Sequence, residues 1–288
     1  MADFEPTLLF GVGAQKSGTS WLYDYLSAHP DCHLRRIKEL GFFSRSTERQ
    51  ARQVVERFET KLVRTRRKKT GFNLAERRKL RERIRDLEEW LGVLRDGSDA
   101  AYLDYLNKGR SARRLVADIT PEYALASPAV LTRMAALSEQ TRFVFIMRDP
   151  VARLWSAIRM AGLRRGGPEP DDQAAFAGNL LAEHAAEGVS NLDRRSDYAD
   201  ALEKLTAIVP AERRLFLFYE ELFCDPTVRT LCDFLSIEFR SGDYSRRVHE
   251  GLKLSLEPEE AARLRTRLAP QYAAAERVMG RLPEAWMR

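Results

Sequence analysis

The sequence has little of what most metal and nucleophile chemistry needs: 288 residues include only three cysteines and four histidines. Cys32, Cys224 and Cys232 are odd in number and lack metal-ligand spacing, so neither a disulfide framework nor a metal site is expected. They read as buried or half-buried free thiols, with a reducing cytoplasm as the expected compartment. No apolar run approaches the roughly 20 residues of a membrane span. Met1-Ala2-Asp3-Phe4-Glu5-Pro6 offers neither the basic stretch nor the apolar core of a secretory signal. Internal repeats and low-complexity tracts are absent as well. A composition of 44% hydrophobic and 31% charged residues excludes a disordered chain.

Charge is present in quantity but unevenly placed. The net +6 conceals a segment from Lys61 to Arg85 with 12 basic and 2 acidic residues, a local +10. The remainder holds 36 basic and 40 acidic residues, or −4, which argues against a uniformly basic protein built for nucleic acid. Helical spacing of Val55, Phe58 and Leu62, then of Leu80, Ile84, Leu87, Leu91 and Leu94, predicts two helices around this segment. Asn73 and Glu76 fit a capping box for the second helix, and Arg66-Arg67-Lys68-Lys69 falls in the turn. A helical basic insertion over residues 46–112 of a single domain, 1–288, is the expectation. Such a face commonly remains solvated or meets an oligomer partner or an acidic partner.

Elsewhere, buried-strand runs alternate with helical patterns. The strand candidates are residues 8–13, 115–119, 143–147 and 215–219. Trp21, Leu22, Tyr25 and Leu26 mark a helix after the first of them, and helices are expected over 197–209, 227–235 and from Pro258 to about Arg281. This pattern predicts an α/β fold, a P-loop-like central parallel sheet flanked by helices.

The first strand leads into Gly13-Ala14-Gln15-Lys16-Ser17-Gly18-Thr19-Ser20-Trp21-Leu22. A glycine-bearing turn at a helix N-terminus exposes backbone N–H groups to an anion. Lys16 adds a point charge, and Ser17, Thr19 and Ser20 add hydroxyls. Lys16 precedes Gly18, so the Gly-Lys-Ser/Thr order of a triphosphate P-loop fails, and no dinucleotide fingerprint replaces it. The order Lys16, Gly18, Thr19, Leu22 resembles the phosphosulfate loop of the sulfotransferase superfamily.

A second element supports the resemblance. After Phe143-Val144-Phe145-Ile146-Met147, the chain supplies Arg148 and, eight residues later, Ser156. The superfamily uses such a pair for the 3′-phosphate of its donor, and an Arg at the carboxyl end of a parallel strand suits phosphate. Phe218-Tyr219-Glu220-Glu221-Leu222 and Thr120-Pro121-Glu122-Tyr123 look like two further family segments. Arg35-Arg36-Ile37-Lys38-Glu39-Leu40-Gly41-Phe42-Phe43 is similar to the carbohydrate-type branch, with a Glu three residues before a Phe-Phe pair.

The resemblance implies a sulfotransferase that takes 3′-phosphoadenosine 5′-phosphosulfate (PAPS) as donor, releases the bisphosphate PAP and needs no metal. It implies Glu39 as general base and Lys16 beside the leaving phosphate, with Ser17, Gly18, Thr19, Ser20, Arg148, Ser156 and Lys253 also on the donor. Phe42 and Phe43 are expected in the core, and His29 in a structural turn. His33 and His249 stand as alternative bases. Ile119 occupies a position where carbohydrate enzymes often carry Lys, so Arg35, Arg36 or Lys38 would have to compensate. The acceptor is a small molecule or a carbohydrate, with no membrane span. Two other readings stay open: a nucleotide kinase or NTPase with a degenerate P-loop, and a polyanion-binding module using the Lys61–Arg85 hairpin.

Overall fold

The computed structural model describes residues 5–68, 73–167, 169–186, 191–245, 252 and 254–287. Five strands, β1 (Thr7–Gly13), β2 (Cys32–Leu34), β3 (Leu115–Ile119), β4 (Thr141–Met147) and β5 (Arg214–Phe218), form one sheet in the order β2-β3-β1-β4-β5. Every pairing is parallel. The helices in chain order are α1 (Thr19–Ala28), α2 (Glu48–Arg66), α3 (Leu74–Asp96), α4 (Asp99–Asn107), α5 (Pro128–Ala135) and α6 (Pro150–Arg165). They continue with α7 (Pro170–Ala186), α8 (Asn191–Arg194), α9 (Tyr198–Ile208), α10 (Asp225–Leu235), α11 (Pro258–Arg267) and α12 (Ala269–Met279).

Both faces of the sheet are covered, which is why the strands read as continuous apolar runs. Leu9, Ile119, Val144 and Ile146 pack with Trp21 and Leu22 of α1 and Leu231 of α10 on one face. Phe10, Val12, Phe143 and Phe145 pack on the other, in a larger core that includes the insertion. Successive residues of β1 alternate between these cores, as period-two geometry requires. Strand order turns about β1, with β3 on one side and β4 on the other, so the carboxyl ends of β1 and β4 adjoin. Ala14 N–H donates to the Ile146 carbonyl at 2.8 Å, which places the loop after β1 next to the turn after β4. Parallel sheets bind ligands at such a point.

Four of the five strands match the expected runs within a residue or two. The fifth, β2, has three residues at the sheet edge, too few to carry a pattern. The C-terminal helix predicted from Pro258 is two helices, α11 and α12, because Pro270 brings no N–H to continue the ladder. The hairpin exists, with Thr47 in a capping box on α2 and the Asn73 side chain accepting from Ala75 and Glu76 N–H on α3. Val54 is buried on α2 beside a half-buried Val55, and a third helix, α4, completes the insertion.

The base of the hairpin is anchored by aromatic packing. Trp90 lies 6.1 Å from Phe58, 4.8 Å from Tyr105 and 6.2 Å from Phe42, between ring centroids. Phe42 stacks on Tyr102 at 4.5 Å, and Phe43 meets Phe10 of β1 at 5.7 Å. Phe42 and Phe43 are therefore core residues, as expected, and they join the insertion to the sheet. Residues 73–85 of α3, by contrast, are exposed or half-buried. Among the described residues no helix is long and apolar enough to cross a membrane.

Candidate active site

The loop after β1 has the backbone geometry of an anion cradle. Lys16 and Gly18 both adopt left-handed conformations, at φ 72° and 85°, which turns neighbouring N–H groups toward a common point. Only glycine suits position 18: a Cβ there would lie 3.0 Å from the Tyr219 ring and 3.1 Å from Leu222. Gly18 also supplies the N-cap of α1 without a side-chain cap, so the N–H groups of the first turn keep their capacity for an external acceptor.

Arg148 is fixed from several directions. Its backbone N–H donates to Tyr198 Oη at 3.2 Å, while that hydroxyl donates to the Arg148 carbonyl at 2.8 Å. The guanidinium sits 4.7 Å from the Tyr219 ring centroid, and Nη1 donates to the Lys16 carbonyl at 3.3 Å. Asp149 accepts from Ala152 N–H at 2.7 Å to start α6, and it also accepts from Tyr272 Oη at 2.7 Å. Glu220 receives the Asp149 N–H at 3.0 Å; burial pushes its carboxyl up. The Tyr219-Glu220 segment thus steadies the turn that presents Arg148.

Between loop and turn lies a cleft of about 990 Å³. Its wall carries Lys16, Lys38, Arg148, Arg159, Arg164, Arg165 and Arg195 against two acids, Glu39 and Glu220. Burial and the charges of Arg148, Arg164, Arg159 and Lys38 lower the Lys16 ammonium to about 8. Seven cations on one concavity favour an anion there, even with Arg195 3.7 Å from Glu122 and Lys38 3.8 Å from Glu39. Gly18, Thr19, Ser20 and Ser156 also line it, as do the flat rings of Trp21, Tyr219 and Phe223. Ser17 is not among the lining residues: its side chain is fully buried against Tyr198.

Glu39 lines the same cleft beside Lys38. Its φ of 60° is unusual for a residue with a side chain, and a buried network holds the turn. Asp118 is the hub: its carboxylate accepts from Thr120 Oγ1 at 2.6 Å, Tyr123 Oη at 2.7 Å and Tyr102 Oη at 3.0 Å. The Leu40 N–H also donates to it; burial pushes this carboxyl up while the four donors pull it down. Thr120 and Tyr123 then receive the Gly41 and Phe43 N–H groups at 3.3 and 3.4 Å. The Glu39 carboxylate itself is half-exposed, with Lys38 Nζ at 3.8 Å.

Of the three cations expected to compensate for Ile119, Lys38 reaches the cleft, where it donates to Ser20 Oγ. Arg35 is instead bound to Asp86 at 2.5 Å and Glu89 at 2.9 Å, and Arg36 to Glu82 at 2.6 Å. His33 is outside the cleft lining; its Nε2 meets the Lys108 carbonyl at 3.0 Å. His29 is buried and structural: Nδ1 accepts from Asp31 N–H, so Nε2 carries the proton and donates to the Glu238 carbonyl at 2.8 Å. Lys253 and His249 lie outside the described residues.

A family model described as the sulfotransferase family matches residues 6–241. The chain belongs to that family. A sulfotransferase from Alicyclobacillus acidocaldarius is similar in structure, with 21% identity and a TM-score of 0.64 over 99% of this chain and 100% of that one. The sulfotransferase domain of the Synechococcus PCC 7002 olefin synthase is 20% identical, with a TM-score of 0.53 over 98% of each chain. At these identities the likeness establishes the fold. A comparison with curated proteins finds no match. Family membership sets aside the kinase reading and makes the chain a sulfotransferase enzyme, so the hairpin belongs to a catalyst rather than to a free-standing binding module.

Several lining residues escaped the sequence reading. Arg159, Met160 and Arg164 follow Ser156 at i+3, i+4 and i+8, a stripe that helix periodicity alone could have revealed. Arg195 follows α8, and its guanidinium is held by Gln15 Oε1 at 2.8 Å, a contact that sequence spacing does not encode.

Removal of the Arg148 guanidinium is expected to weaken PAP binding by about 1.5–3 kcal/mol, the range for a hydrogen bond to a charged group. Calorimetry on Arg148→Ala checks this, and an unchanged affinity would remove Arg148 from the donor site.

Proposed function

We propose that the sulfotransferase moves a sulfuryl group from PAPS to an acceptor hydroxyl or amine in the cytoplasm, with Glu39 as general base. The observation that supports it best is that seven cations and the uncapped N-terminus of α1 line one cleft. A donor with a 3′-phosphate and a 5′-phosphosulfate has the charge to match it. Lys16, Gly18, Thr19 and Ser20 suit the 5′ end, Arg148 and Ser156 suit the 3′-phosphate, and Tyr219 and Phe223 supply aromatic surface for a purine.

In this reading Glu39 accepts the acceptor's proton as its oxygen or nitrogen attacks sulfur. The new bond to sulfur forms as the bond from sulfur to the bridging phosphate oxygen breaks. Lys16 holds positive charge against that oxygen while its negative charge grows. Lys38, bound to Ser20 and near Glu39, ties the two halves of the site. The cleft orients both substrates and leaves little covalent work for the protein. Lys253 remains a proposed cation over the nucleotide.

Transfer of label from PAPS to a panel of phenols, amines, simple sugars and acidic polysaccharides tests the reading. Labelled product with at least one acceptor class, lost on addition of PAP, is expected. Absence of transfer to every class, with no binding of PAP, would refute it.

A further inference from the structure

Donor binding leaves unused a group of cations on the insertion, beside Glu39. Arg57, Lys61 and Arg64 recur at i, i+4 and i+7 on α2, a stripe that runs roughly 10 Å along the helix at 1.5 Å per residue. Its inner end touches the candidate base, since Arg57 Nη2 donates to the Glu39 carbonyl at 3.3 Å. The charges that act on Lys61 are, in order, Arg83 of α3, Arg57, Glu39 and Asp86. Cations of two helices therefore gather beside the Glu39 turn, outside the residues that line the cleft.

These cations are held but not neutralised. The Arg57 guanidinium lies 4.9 Å and the Lys61 ammonium 5.3 Å from the Phe58 ring centroid, so a buried aromatic steadies both head groups. Among the described residues none of Arg57, Lys61 and Arg83 forms an ion pair. Some cations elsewhere on the hairpin do: Arg66 with Glu88, Arg95 with Glu59, and Arg78 with Glu82. Around Lys61 the like charges of Arg83 and Arg57 outweigh the opposing charges of Glu39 and Asp86, and a net-positive cluster suits an anionic ligand.

We propose that Arg57, Lys61 and Arg83 form an acceptor subsite that binds an anionic group, a carboxylate, phosphate or sulfate ester, on the molecule whose hydroxyl or amine meets Glu39. The inference rests on the reading of the Glu39 cleft as the transfer site and adds the acceptor's charge class. It also gives the insertion a task in recognition: the hairpin supplies a second wall that the sheet does not.

Matched probes that differ only in charge test it. The phenols para-hydroxyphenylacetate, tyrosol and tyramine carry a negative, a neutral and a positive tail, and carboxymethyl-dextran against dextran repeats the contrast on a polymer. Binding of each to the PAP-loaded protein is measured by calorimetry, and kcat/KM for transfer by labelled donor. The expected result is a preference of about tenfold or more for the anionic member of at least one series, the size of one charge-assisted contact. A preference confined to the phenols marks a small acceptor, and one confined to dextran a polymeric one. Lys61→Glu with Arg83→Glu should abolish or reverse the preference while PAP affinity stays unchanged. Lys61→Gln with Arg83→Gln, which removes charge with less change of shape, should abolish it without reversal. Equal response to all charges, failure of every anionic probe to bind, or a preference that survives the double reversal would overturn the subsite. Failure of the unaltered protein to bind PAP would instead overturn the donor reading beneath it.

Discussion

Glu39→Gln is expected to lower kcat for transfer by about 10²–10⁴-fold, the span for loss of a positioned general base, while PAP binds as before. The amide keeps the shape of the side chain and loses the ability to take a proton. The turn itself should survive, because it is held through main-chain N–H groups: Leu40 to Asp118, Gly41 to Thr120 and Phe43 to Tyr123. A fall in kcat without loss of PAP affinity is therefore the signature of chemistry rather than collapse. Unchanged turnover would remove Glu39 from the reaction. His33 is a poor substitute, since it sits outside the cleft lining with its ring engaged by the Lys108 carbonyl.

Lys16→Met carries the second large effect, a loss of about 10²–10³-fold in kcat if Lys16 stabilises charge on the leaving phosphate, by comparison with removal of one oxyanion-hole donor. Its lowered pKa gives an independent check. Burial and surrounding cations bring the free ammonium down to about 8, so it loses its proton as pH rises through that value. The anionic donor favours the protonated form, and PAP affinity should fall with rising pH above about 8. Lys16→Arg keeps a charge that does not titrate in this range, and it should flatten the profile even where its different shape weakens binding. A wild-type profile that is flat up to pH 10 would contradict a donor role for the Lys16 charge.

The part of the cleft proposed to hold the donor was legible in the sequence because it is local. Lys16, Gly18, Thr19 and Ser20 share one loop, Arg148 and Ser156 share one strand-helix unit, and all six reach the same cleft. A buried parallel strand announces itself as an apolar run, so β1, β3, β4 and β5 were readable and the three-residue edge strand β2 was not. Ser17 looked like its neighbours in the loop, but backbone direction turns it inward, and residue type does not record direction. Asp118 could not be recognised as the hub beneath Glu39, because its partners come from three separate segments. The hairpin was visible as charge and helical spacing. Its contact with Glu39 depends on packing of Phe42 against Trp90 and Tyr102, which arises only once the chain has folded.

The central claim is that this cleft holds a nucleotide by its 3′-phosphate, and calorimetry with PAP against ADP plus Mg²⁺ tests it most directly. PAP should bind without added metal, more tightly than ADP with Mg²⁺, and Arg148→Ala should remove most of that advantage. Preference for ADP with Mg²⁺, or equal binding of the two, would contradict the account.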